Sequence, residues 1–184
     1  MTKAIAGVDE VGRGSLVGPV YAAAVVLKKK IIKKKLKDSK KLSKKNRKIL
    51  YQYIKKNSFW AIGSASLKEI EKFNILNASL LAMKRAITKL KKKPGLVLID
   101  GNKIPKMKNY NLKNIIKGDQ KIPEISAASI IAKVSRDRSI RRLNKISNFG
   151  SGYPSDKKSV NYVKKIVSSK KPLPSSIRKS WKPV

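Results

Sequence analysis

The chain reads as an α/β domain built on a mixed sheet, and three features point there. Its 184 residues, 41% of them hydrophobic, are enough for one sizeable core. Three short apolar segments suited to strands come early, the first two separated by a glycine-containing turn. Helical periodicity then alternates with short apolar runs, the order that favours parallel additions to an antiparallel start. With no internal repeat and no linker composition, residues 1–184 form one domain, and 147–184 are its C-terminal loop, helix and tail.

Each element has its own signal. "AIAGV" (4–8) predicts a buried strand ending at Asp9, and "PVYAAAVVL" (19–27) predicts its hairpin partner. The lysine-rich stretch 28–41 is a loop punctuated by "KDSKKLS", with Asp38 as a turn residue. Ser43 can cap a helix that places Leu42, Ile49, Leu50, Tyr53 and Ile54 on one face. "FWAIGSAS" (59–66) is a third strand. Leu76, Leu80, Met83, Ile87 and Leu90 recur at helical spacing, with Glu69 and Glu71 as solvated helix charges.

"LVLI" (96–99) gives a fourth strand closed by Asp100-Gly101, and "NLKNII" (111–116) a fifth, followed by Gly118-Asp119. Pro123 suits the first turn of a long helix. Its first half, "ISAASIIAKV", is predicted buried, whereas "SRDRSIRR" is basic and exposed. Asp137 stands four residues from both Lys133 and Arg141, the spacing of helix-face ion pairs. After "FGSGYPSD" a last helix carries Val160, Val163 and Val167 on one face.

Composition narrows the function. Forty-six Lys+Arg against ten Asp+Glu give a formal charge of +36, which argues for a polyanionic partner, nucleic acid before others. Any one lysine run, such as 28–30 or 33–35, can equally be a solvated surface. The chain has no Cys and no His, which excludes disulfides, thiolate zinc sites and a histidine general base. The N-terminus lacks the apolar core of a secretion signal, and "VYAAAVVL" (20–27) is too short to cross a bilayer. A cytoplasmic protein without membrane attachment is expected, with a monomer as the default.

Against this basic background the acids form a pattern. Asp9 and Glu10 end the first strand, Asp100 ends the fourth, and Asp119 follows the fifth. Sites in α/β sheets form at strand ends, so these carboxylates can converge. Packed together they repel one another unless cations neutralise them, and an all-oxygen donor set suits Mg²⁺ or Mn²⁺. Two such ions about 4 Å apart form the usual clamp for phosphodiester hydrolysis without histidine. Taken singly, Asp100 or Asp119 can also be a turn former or helix cap; the adjacent Asp9-Glu10 is harder to explain that way, because strand neighbours point to opposite faces.

The blocks "AGVDEVGRGSLVGPV" (6–20), "DSKKLS" (38–43), "LIDGNKIP" (98–105), "KGDQKIPEISAASIIAKVSRD" (117–137) and "GYP" (152–154) follow the order found in bacterial ribonuclease HII, which the chain resembles over almost its whole length. The resemblance implies a ribonuclease H-like fold, a mixed five-stranded sheet flanked by helices with a helical C-terminal region. It implies endonucleolytic hydrolysis of RNA in RNA/DNA hybrids and nicking 5′ to single ribonucleotides in duplex DNA, leaving 3′-hydroxyl and 5′-phosphate ends. By motif, Asp9, Glu10, Asp100 and Asp119 match the family's metal-binding catalytic carboxylates.

Gly12, Arg13 and Gly14 match the loop that reads the ribose 2′-hydroxyl, the group that separates RNA from DNA. Without the family, the two glycines can simply form a tight turn. Tyr153 matches a tyrosine that packs on the sugar 3′ of the junction, and Lys40 and Lys41 fall in a block expected to touch backbone phosphate. The segment before "GYP" is compressed, and the family's late "HR.SF" pattern appears as "IRKSW" (177–181), without the histidine and with Trp181 for phenylalanine. Two rivals are a non-catalytic basic RNA-binding or ribosome-associated protein, and the sister ribonuclease HIII group. Members of that group carry an extension ahead of the catalytic domain, for which the first motif, beginning within ten residues of Met1, leaves no expected room.

Overall fold

A computed structural model describes residues 4–28, 36, 43–169 and 172–179. Ten elements follow in order: β1 (Ile5–Val11), β2 (Val20–Leu27), α1 (Lys44–Lys56), β3 (Ser58–Ala65), α2 (Leu67–Thr88), β4 (Leu96–Asp100), β5 (Leu112–Ile115), α3 (Gly118–Lys121), α4 (Pro123–Ser147) and α5 (Lys157–Ser168). The five strands form one sheet in the order β3-β2-β1-β4-β5. β1 pairs antiparallel with β2, and β2 with β3, whereas β4 runs parallel to both β1 and β5. The mixed α/β architecture expected of a ribonuclease H-like chain is therefore present.

Alanines at the centre of β2 let helices approach the sheet from both sides. Ala22 and Ala24 join Val8, Ala78, Ala82 and Met83 in the layer under α2. Ala23 and Val25 join Leu50, Ile54, Ala127 and Ile131 in the layer under α1 and α4. A third cluster, Leu16, Val17, Ile140, Phe149, Val163 and Ile177, ties α5 and the C-terminal segment to the loop after β1. Gly7 lets α4 lie directly on β1: a Cβ there would sit 2.0 Å from the Glu124 carbonyl carbon.

Several details depart from the sequence expectations. β1 runs on to Val11, so Asp9 and Glu10 lie inside the strand rather than closing it. On α1, Ser43 accepts from the Asn46 N–H as expected, but Ile49 is 62% exposed while Tyr51 takes its place in the core. The inner face of α2 is largely alanine, and a break at Asn74 (φ 65) re-aims the helix. Glu69 is not a solvated charge. It closes a capping box with Ser66 and binds Arg85 at 2.6 Å and 3.0 Å, which holds its carboxyl down to about 2. Asp137 pairs with Lys133 at 3.2 Å as expected, whereas Arg141 reaches its backbone oxygen instead of its carboxylate. Val163 is buried and Val167 exposed on α5. Asp38, Lys40, Lys41 and Trp181 lie outside the described residues.

Candidate active site

Register brings the first acids together. β1 and β4 are parallel neighbours with Val8 opposite Ile99, so the next residues, Asp9 and Asp100, reach the same level of the sheet. Asp9 is 7% exposed, faces α4 and takes a hydrogen bond from Ser129. Burial, then the charges of Glu10 and Asp100, push its carboxyl up to about 8, with Ser129 and the Glu10 N–H acting against the rise. Glu10 is raised by the same burial and by Asp100, and lowered by Arg13, whose Nη1 lies 3.3 Å from Oε1. Asp9, Glu10 and Asp100 thus feel one another's charge.

Asp119 arrives by a separate route. Lys117 takes a left-handed conformation (φ 54) and turns the chain after β5 into α3, where Asp119 is 3% exposed. The preceding N–H, of Gly118, donates to Asp100 Oδ1 at 2.7 Å, fastening this turn to the end of β4.

The donor set suits a hard divalent cation. It contains only carboxylates, and Asp9 and Glu10 are disfavoured as anions by burial and by neighbouring negative charge, the situation a bound cation reverses. As it stands, no group of three or more His, Cys, Asp or Glu side chains among the described residues is arranged to hold a metal ion. Asp9 Oδ1 accepts from the Glu10 N–H, Glu10 Oε1 from Arg13, and Asp100 Oδ1 from Gly118.

The loop 12–14 follows directly. Gly12 has φ +95, a conformation side chains rarely adopt, and its would-be Cβ lies 3.4 Å from the Pro19 oxygen. Gly14 is different: its φ is ordinary, and a Cβ would meet nothing within 4 Å. The fold requires glycine at the first position and not at the second.

A residue that composition does not single out fixes this loop. Arg178, 3% exposed, donates to the carbonyls of Gly12 (2.6 Å), Arg13 (2.7 Å) and Gly18 (3.0 Å). Backbone bonds from Arg178 to Leu16 and from Gly18 to Ser176, with a bridge between Val17 and Ile177, strap the C-terminal segment over the loop. Burial and the charge of Arg136 lower the Arg178 pKa to about 10.

Tyr153 stands next to this loop. The Arg136 guanidinium lies 4.0 Å from the centre of its ring and Lys133 Nζ 5.0 Å. Arg136, 1% exposed, donates to Ser15 Oγ, which donates in turn to the Gly152 carbonyl at 2.7 Å. Leu16 N–H bonds the same carbonyl. Asp156 caps α5 and also accepts from the Ser151 N–H, which holds its carboxyl at about 2 and pins the tyrosine's loop. The structure therefore links 12–14 and 152–153 through Ser15 and Arg136. Ser129, Arg136 and Arg178 went unread because two buried arginines cannot be told from forty-four other cations by composition. The "IRKSW" block was the available cue for Arg178.

Comparison with known proteins gives a consistent picture. The family model described as ribonuclease HII matches residues 6–184. A ribonuclease HII of Pelagibacter ubique is 70% identical over 156 residues, covering 82% of this chain and 84% of that protein. One from Borreliella burgdorferi is 50% identical over 167 residues, covering 88% and 92%. Among solved structures, the ribonuclease HII of Archaeoglobus fulgidus in a PCNA complex superposes with a TM-score of 0.84 at 30% identity, covering 98% of this chain and 96% of that one.

Proposed function

Given that the chain belongs to the ribonuclease HII family and is a ribonuclease H enzyme, we propose that it cleaves the RNA strand of hybrids and nicks duplex DNA immediately 5′ to a single embedded ribonucleotide, leaving 3′-hydroxyl and 5′-phosphate ends. The observation that carries this reading is the register that brings Asp9 and Asp100 to one level of the neighbouring strands β1 and β4, with Glu10 adjacent, beside a glycine loop with open space at Gly14. A non-catalytic RNA-binding protein gives no reason for buried carboxylates in a chain of charge +36.

Asp9, Glu10, Asp100 and Asp119 are the residues that would hold two divalent ions, Mg²⁺ or Mn²⁺. Bound there, such ions supply Lewis-acid activation of water and stabilisation of the leaving oxygen. The protein's own part is positional. Ser129 and the Glu10 N–H orient the Asp9 carboxylate, and the Gly118 N–H orients that of Asp100. Gly12, Arg13 and Gly14 present backbone to the ribose 2′-hydroxyl, with Gly14 leaving room for the sugar. Tyr153, braced on Arg136, packs on the deoxyribose 3′ of the junction, and Lys40 and Lys41 neutralise backbone phosphate. Residues 1–184 act as one catalytic domain with 147–184 as its C-terminal region, as a monomer in the cytoplasm; among the described residues no helix is long and apolar enough to cross a membrane.

The test is a labelled DNA duplex carrying one ribonucleotide, incubated with Mg²⁺, Mn²⁺ or EDTA beside an all-DNA control. One metal-dependent nick 5′ to the ribonucleotide is expected. Tight binding without a cut under either metal would overturn the reading.

A further inference from the structure

Outside the carboxylate site, a concentration of positive charge lies where α1 meets the second half of α4. Arg47 and Lys48 from α1 and Val134, Asp137, Arg138 and Arg141 from α4 enclose a cavity of about 310 Å³. A second hollow of about 400 Å³ shares Arg47, Asp137 and Arg141 and continues past Lys133 and Arg136 to Gly150 and Ser151. The two form a trough that runs along α4 from α1 to the loop carrying Tyr153. Six cations line it against one carboxylate, Asp137, which already faces Lys133 at 3.2 Å and Arg136 at 3.7 Å.

Two of its arginines, Arg138 and Arg141, are tethered. The Arg138 guanidinium lies 4.6 Å from the centre of the Tyr51 ring and donates to the Tyr51 hydroxyl at 3.1 Å, and Arg141 Nε is anchored on the Asp137 carbonyl. Fixed planar forks of this kind suit phosphate oxygens, which they can bind in bidentate fashion. Little ordering entropy remains to be lost when an anion enters.

We infer that this trough is a phosphate track for the substrate duplex, gripping its sugar–phosphate backbone beyond the cut on the side marked by Tyr153. Resting on the function proposed above, it adds where the rest of the duplex lies. Length agrees: the eight steps from Lys133 to Arg141 span about 12 Å of helix, which covers about three base-pair steps of rise along a duplex axis.

The double variant Arg47→Gln/Arg141→Gln tests the track, since neither residue belongs to the proposed carboxylate site or to loop 12–14. KM for a long ribonucleotide-containing duplex should rise about ten-fold, with kcat at saturation retained. The slope of log affinity against log salt, measured in EDTA, should become shallower by about one to two. On a short duplex ending just 3′ of the ribonucleotide, the variant and the wild type should bind alike. Arg141→Lys, which keeps the charge and loses the fork, should fall between them. A variant with an unchanged melting curve and unchanged KM and slope would overturn the track. So would an equal loss on the short and long duplexes, because that is diffuse attraction rather than a path. If the wild type fails to cut, the proposed function fails by itself, and the salt slopes still decide the track.

Discussion

Arg178 Nη2 donates to the Gly12 carbonyl at 2.6 Å, joining residues 166 positions apart in the chain. With its bonds to Arg13 and Gly18, one buried side chain holds the outline of the loop next to Glu10. Among the described residues its partners are three backbone carbonyls, and in turn it satisfies them.

Replacing Arg178 with Ala therefore leaves buried acceptors without a donor. Each charge-assisted bond is worth about 1.5–3 kcal/mol, so a loss of about 3 kcal/mol or more in urea unfolding is expected. Lys at this position keeps the charge but cannot span three divergent carbonyls, and should recover only part of the loss. A stability within about 0.5 kcal/mol of wild type would contradict the clamp.

The two glycines of the loop should separate stability from activity. Gly12→Ala forces a side chain into φ +95 and is expected to destabilise by about 1 kcal/mol or more. Gly14→Ala meets open space, so its melting temperature should match wild type while cleavage at a single ribonucleotide falls sharply, because the methyl group occupies the sugar's place. Undiminished activity in Gly14→Ala would remove that loop residue from the substrate.

Glu69 and Asp156 set an acid limit on stability. Both folded-state values lie at about 2, below the ordinary 4.5 and 3.8. Their stabilisation is therefore complete above the unfolded values and is lost as the pH falls through about 2. Asp156→Ala removes the α5 cap and the acceptor of the Ser151 N–H, and should cost about 1 kcal/mol near neutral pH. The gap between variant and wild type in thermal melts should narrow from pH 5 to pH 2. A gap that stays constant would mean that the carboxylate's charge contributes nothing.

Much of this arrangement was legible because it rests on local patterns. Alternation and turn residues placed β1 to β5, Ser43 announced α1, and Pro123 announced α4. The acids stood out because so few share the chain with forty-six cations. What escaped depends on long-range packing. β1 extends through Asp9 and Glu10 because β2 pairs with it as far as Val11, a partner that the run "AIAGV" does not contain. Glu69 looks like any surface acid until the chain brings Arg85 back beside it. Arg136 and Arg178 look like surface cations until the loop carbonyls and Ser15 close around them.

Asp100→Asn tests the carboxylate cluster most directly. Single-turnover cleavage of a duplex with one ribonucleotide is measured with Mn²⁺, alongside duplex affinity in EDTA. If the four carboxylates act as a unit, as proposed, the rate should drop by about a thousand-fold or more while affinity stays within about two-fold of wild type. A variant that cuts at a near wild-type rate would contradict the assignment of Asp100 and of the shared site built around it.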